Sequence, residues 1–127
     1  MTWKEQSREA YGAARLLLAE HRLRSAVSRS YYAAYAAVTS RLAARGVQFP
    51  HDGNNPSHEQ LPQLILHNLD VAQHERRRLA ATIRRLRLGR VEADYVPAAH
   101  IDERIARDLV RDAGSVLEIL EIADDKG

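Results

Sequence analysis

The side chains of this chain that could do chemistry are few in kind. There are five tyrosines, six histidines and seventeen arginines, only two lysines, and no cysteine. Three tyrosines crowd into one stretch, RSAVSRSYYAAYAAV, which carries Tyr31, Tyr32 and Tyr35 among alanines with Arg29 beside them. Phenols so placed can wedge a close-packed helix or stack a base. Seven arginines fall between Arg76 and Arg90 with no acidic residue among them. On a helix, Arg77, Arg84 and Arg87 lie near one line that Arg90 extends, a row suited to tracking phosphates. A solvated face that pairs with Glu92 or with an acidic partner chain accounts for the same row.

Proton-transfer and metal chemistry are harder to place. His51, His58, His67 and His74 invite a metal reading. On a continuous helix, however, His67 and His74 would stand roughly 10 Å apart, too far to share one ion. No metal and no cofactor is expected. Without cysteine there is no disulfide framework, thiolate site or sulfur nucleophile, which suits a reducing cytoplasm. The glycines are scattered, so no phosphate-cradling loop is written. Ser28 and Ser30 fall mid-helix without a neighbouring base. Arg-x5-His occurs at Arg15–His21 and at Arg45–His51, but with this many arginines roughly two such pairs arise by chance.

These residues must be held by helices. The 127 residues are 45% hydrophobic and 28% charged, enough for one domain over residues 1–127. No run approaches the ~18 apolar residues of a membrane span, and the charged N-terminus does not read as a signal peptide. A membrane partner is therefore not expected. Thr2 with Glu5 reads as a capping box opening a first helix that ends near His21. A second helix is expected over 23–45, with Ala26, Val27, Ser30, Tyr31, Ala34, Val38 and Leu42 on its buried face and Gly46 as its stop. Residues 47–56 read as the main loop. Ser57 and Gln60 suggest a capping box for a third helix, which Pro62 could kink. A further helix is expected over 71–88, with Gly89 ending it. Residues 90–99 then form a connector, and a last helix covers 100–123. The class is all-α, an up-and-down bundle of four to five helices.

Two motifs go further. AVSRSYYAAYAAVTSRLAARG resembles the second helix of the HEPN domain family, in the subgroup marked by S-R-x-Y-Y-A-x-Y. LRLGRVEADYVP is similar to the same subgroup's R-x-x-A-D-Y signature. His58 stands where these proteins often have a histidine. The resemblance implies a helical bundle that homodimerises, often encoded beside a minimal nucleotidyltransferase that acts as antitoxin. Many members are metal-independent endoribonucleases carrying R-x(4–6)-H, with the arginine on the scissile phosphate and the histidine moving a proton. Here Arg90 is followed four residues on by Asp94 and then Tyr95, and the next histidine is His100. The expected histidine is thus missing. Asp94 beside an arginine is a poor base, and Tyr95 is a weak acid. A structural role suits them as well: Asp94 accepting from backbone or arginine, Tyr95 packing its ring to tie the connector to the second helix. Tyr95 is also the nearest candidate for nucleotide modification by a partner transferase.

The expected site is therefore Arg90, Asp94 and Tyr95 for any catalysis, with Arg29, Tyr32, Tyr35, His58, Arg77, Arg84 and Arg87 for binding. Three functions remain open: a module binding RNA, a nucleotide or a partner protein; an endoribonuclease using Arg90 with a non-standard partner; and a non-catalytic scaffold.

Overall fold

Alanine decides the architecture. In a computed structural model, which describes residues 1–49 and 55–122, every residue from Ala33 to Thr39 is buried. These belong to α2 (Leu23–Ala44), the second of five helices: α1 (Trp3–Ala19), α2, α3 (Leu61–Asn68), α4 (Gln73–Tyr95) and α5 (Glu103–Ile119). The pattern had given α2 one buried face. Instead, α1, α4 and α5 all pack directly on it. Small side chains allow this, because neighbouring backbones approach without clash. The Ser7 hydroxyl of α1 reaches the Ala33 carbonyl at 2.7 Å in the buried contact. A helix buried all round is a core helix. Tyr31, Leu42, Leu79, Ile83, Leu86 and Leu117 fill the space around it. The described residues are all-α, as the sequence implies.

The helix ends follow local chemistry. Thr2 and Glu5 form the expected capping box, with bonds of 2.8 and 3.0 Å. α1 and α2 close in the same way. His21 N–H and Arg22 N–H return to the Leu18 and Leu17 carbonyls, and Gly46 N–H and Val47 N–H return to those of Ala43 and Leu42. Gly46 sits at φ 81°, as such a closure requires. His21 occupies the same left-handed position at φ 60°, and Glu121 does so after α5 at 57°.

Four boundaries differ from expectation. The third helix begins at Leu61, not Ser57. The Ser57 hydroxyl accepts from Glu59 N–H within a turn, and no side-chain cap forms at Gln60. Pro62 lies in the first turn of α3, where its missing N–H costs nothing, so it starts the helix rather than kinking it. A short extended break at Leu69–Ala72 separates α3 from α4, so His67 and His74 stand on different helices.

Gly89 does not end α4. The helix runs on to Tyr95 and absorbs much of the supposed connector. Gly89 is there for packing: a Cβ would stand 2.7 Å from Leu109 Cδ1 and 3.3 Å from Val27 Cγ1. Val96 precedes Pro97 and is driven to extended backbone, which stops the helix. α5 begins at Glu103 because Asp102 caps it, accepting from Ile105 N–H at 2.9 Å, and it ends at Ile119. Ala123, the expected end, lies outside the described residues, as do His51 and the middle of the 47–56 loop.

Two arginines of α2 fasten the ends of its neighbours. Arg24 donates to the carbonyls of Glu92, Ala93, Val96, Pro97 and Ala99, at 2.6–3.3 Å. Arg41 donates to Leu120 at 2.7 Å while its Nε pairs with Asp70 at 3.2 Å. Both place a cation where a helix C-terminus gathers partial negative charge. No helix among the described residues is long and apolar enough to cross a membrane.

Candidate functional site

Tyr31 and Tyr35, one turn apart, share a face of α2, and Tyr32 stands beside it. Their hydroxyls determine what each holds. Tyr35 donates to the Pro56 carbonyl at 2.6 Å. The Tyr31 hydroxyl meets His58 Nδ1 at 2.6 Å. The turn before α3 is therefore tied to α2 at two points, and His58 lies among all three rings. Its centroid is 4.6 Å from Tyr35, 5.5 Å from Tyr31 and 6.4 Å from Tyr32.

Burial sets the protonation states. It pushes the Tyr31 phenol strongly upward, and the Tyr35 phenol upward as well, with Tyr32 adding to the latter. It pulls the His58 imidazole down, and the charges of Arg90 and Arg87 add to that. A protonated phenol and a neutral imidazole can then share one proton-donating bond, from Tyr31 to Nδ1.

The third ring leads to α4. Arg90 donates from Nη2 to the Tyr32 hydroxyl at 2.7 Å and, more weakly, to the Tyr95 hydroxyl at 3.4 Å. Its Cζ stands 5.2 Å from the centroid of each ring, so the guanidinium is clasped by cation–π contact on both sides. Nε lies 3.1 Å from Asp94 Oδ2, an ion pair one turn along the helix. That N–H is buried and not aligned as a hydrogen bond. The same Asp94 oxygen accepts from the Ser28 hydroxyl at 3.1 Å. Nη1 has no hydrogen-bond partner among the described residues.

Against this cluster opens a concavity of about 600 Å³ between α1, α2 and the turn before α3. Trp3, Glu9, Arg29, Tyr32, Tyr35 and His58 are among its lining residues. Trp3 meets Tyr35 edge-on at 6.0 Å. Its size suits a nucleotide-sized ligand, and its wall combines aromatic faces with a few polar groups.

The structure thus brings together Arg29, Tyr32, Tyr35 and His58 around the pocket. Arg90, Asp94 and Tyr95 join them through Tyr32. Arg87 acts on the same group through its charge. Arg77 and Arg84 are exposed and lie farther up α4, Arg77 roughly 20 Å of helix from Arg90. Tyr95 does not pack against α2: it is 65% exposed on the last turn of α4, held by Arg90. His100 stands apart from the cluster, exposed and 3.5 Å from Asp102.

Arg24, Ser28 and Trp3 were not read from the sequence as part of the site. Arg24 and Ser28 share the face of Tyr31, Tyr32 and Tyr35 at helical spacing, so a projection of α2 would have exposed them. Trp3 comes from another helix and leaves no such signal.

This arrangement of tyrosines, arginine and R-x-x-A-D-Y helix end is accompanied by a family match. A family model described as HEPN domain matches residues 1–123. The chain belongs to the HEPN family. It is also similar to a UPF0332 protein of Thermotoga maritima, with 30% identity over 122 residues, covering 94% of this chain and 86% of that protein. No solved structure matches. Within this HEPN fold, Arg90 sits on α4 with Asp94 and Tyr95 beside it. Among the described residues, the histidine nearest the tyrosines is His58, which arrives from the turn before α3.

Proposed function

We propose that this HEPN protein is a binding module of a two-component system. In this reading a homodimer works with a minimal nucleotidyltransferase and holds RNA or a nucleotide without cleaving it. The observation that carries the binding is the clasp on Arg90. Two tyrosine rings and Asp94 fix the guanidinium, and Nη1 is left to meet a phosphate oxygen. A preorganised guanidinium loses little freedom on binding, and its hydrogen bond to an anionic oxygen is charge-assisted. The base of the same nucleotide would lie in the adjoining pocket, against Trp3 or Tyr32, with Arg29 at the rim. Exposed Arg77 and Arg84, with Arg87, extend a positive track along α4 for a longer strand. The transferase partner and the dimer rest on the family resemblance, as does Tyr95 as an acceptor of nucleotide.

A second reading keeps the same residues and adds cleavage. His58 is held neutral, and in the alternative tautomer, whose Nδ1–H donates to the Tyr31 hydroxyl, its Nε2 is free to accept a proton from an attacking 2′-hydroxyl. One experiment separates the two. Labelled single-stranded RNA is titrated with the purified chain by fluorescence anisotropy, and the same RNA is then run on a denaturing gel. The module reading expects binding that weakens steeply with salt and about tenfold in Arg90→Gln, with RNA intact. Cleavage lost in both Arg90→Ala and His58→Ala would instead establish the ribonuclease. Binding indifferent to Arg90→Gln would remove both.

A further inference from the structure

A second concavity lies elsewhere, between the end of α1 and the start of α5. It holds about 430 Å³ and is lined by Tyr11, Arg15, His21, Glu103, Arg107 and Arg111, with apolar Leu18 and Val110 below. Three guanidinium groups and an imidazole thus share the groove with one carboxylate.

That carboxylate is already engaged on both oxygens. Glu103 Oε1 is 3.5 Å from His21 Nδ1, and Oε2 is 2.6 Å from Arg107 Nη2. Arg111 pairs with Asp108 at 3.1 Å, a residue that lines the neighbouring groove between α4 and α5. Arg15 has no ion pair or hydrogen bond among the described residues. Its Cζ rests over the Tyr11 ring at 5.9 Å. Tyr11 is itself fixed by a close approach to α5, since a Cβ at Gly114 would stand 2.5 Å from its hydroxyl oxygen. The platform under Arg15 is therefore set by packing. His21 reaches the groove from a left-handed backbone, φ 60°, at a helix-closing position where glycine would be less strained.

We propose that this groove is a phosphate-binding site, separate from Arg90. Guanidinium groups offer paired N–H donors matched to two oxygens of one phosphate. With Glu103 taken by His21 and Arg107 and Asp108 taken by Arg111, Arg15 is left without a counterion among the described residues and calls for an anion. A phosphate offers more acceptor oxygens than a carboxylate to Arg15 and to the N–H groups that Arg107 and Arg111 leave unused. The Tyr11 hydroxyl supplies a further donor, and His21 does so from the ring nitrogen turned away from Glu103 when its imidazole is protonated. A small phosphate compound and the backbone of a nucleic-acid strand both present this chemistry.

The test is isothermal titration of the whole chain with pyrophosphate at low salt. The titration is run in the Arg90→Gln chain, so that the site proposed at Arg90 does not contribute. Saturable binding is expected, weakened about tenfold or more when Arg15→Gln or His21→Gly is added. His21→Gly relieves backbone strain, so it should raise the melting temperature while it lowers affinity, a combination that misfolding does not produce. Displacement of pyrophosphate by a short uridine oligomer would identify a strand as the natural source. Failure to displace would identify a small phosphate compound. The proposal is overturned if pyrophosphate does not bind the Arg90→Gln chain, or if Arg15→Gln and His21→Gly leave that binding intact.

Discussion

Replacing Arg24 with alanine should destabilise the protein by about 3 kcal/mol. Of the five carbonyls that Arg24 reaches, those of Glu92, Val96 and Pro97 are exposed enough to turn to water when the guanidinium is removed. Those of Ala93 and Ala99 are partly buried, at 3.1 and 2.6 Å. A hydrogen bond from a charged donor contributes roughly 1.5–3 kcal/mol net, and losing it strands the acceptor. The low end suits these two, because water reaches part of the site, and together they give the figure above. Arg24→Lys supplies one compact charge that cannot fork between the two carbonyls, so it should recover about half. Urea denaturation with a common slope measures both differences. The last turn of α4 also carries Asp94 and Tyr95, so Arg24→Ala should weaken RNA binding although Arg24 itself touches no ligand. A stability loss under about 1 kcal/mol, or full recovery by lysine, would show that Arg24 does not hold the end of α4.

Gly89→Ala should cost about 1 kcal/mol in the same assay. The methyl would crowd Leu109 and Val27, and overpacking of 1–3 kcal/mol outweighs roughly 1 kcal/mol of helix propensity gained. Thr39→Val should stabilise by about 1 kcal/mol, read from the denaturation midpoint. The Thr39 hydroxyl is fully buried and finds no partner among the described residues, so an apolar group of the same shape removes a desolvation cost. Stability should also fall with acid through His58. Burial, Arg90 and Arg87 lower its folded pKa below the ordinary 6.5, so below that pH the unfolded chain binds more protons than the folded one. The contribution is complete above about pH 6.5 and is lost as pH falls through the lowered folded value. Urea midpoints between pH 7 and 5 should decline less in His58→Gln.

Several features of the fold were legible because they are local. The capping box at Thr2 and Glu5 and the glycine after α2 depend on residues within one turn, and the chain forms both. What the pattern missed came from contacts distant in sequence. The alanines of the second segment do read as a close-packed helix, but alanine is neutral in a hydrophobic stripe, so they did not declare that three neighbours would enclose it. Gly89 reads as a stop because glycine is a poor helix former. Its reason for being there lies twenty residues on, at Leu109. Ser57 and Gln60 have the spacing of a capping box, yet the hydroxyl is used in a turn that swings His58 towards α2.

The site divides in the same way. Arg90, Asp94 and Tyr95 are neighbours on one helix, and Tyr32 meets Arg90 within the same chain. The part played by Tyr95 was misjudged, because the supposed connector is helix and leaves its ring outside. Trp3 and Arg24 complete the surroundings only after the helices pack.

The enclosure of α2 has a consequence for the order of events during synthesis. Helix α5 is translated last of the five, and until it docks, one flank of α2 has no cover. Even with α1 and α4 packed against α2, Ala113, Val116 and Leu117 have yet to close the core. Assembly of the bundle therefore finishes late, and the interval before it finishes is when a nascent chain with exposed apolar surface depends most on chaperones.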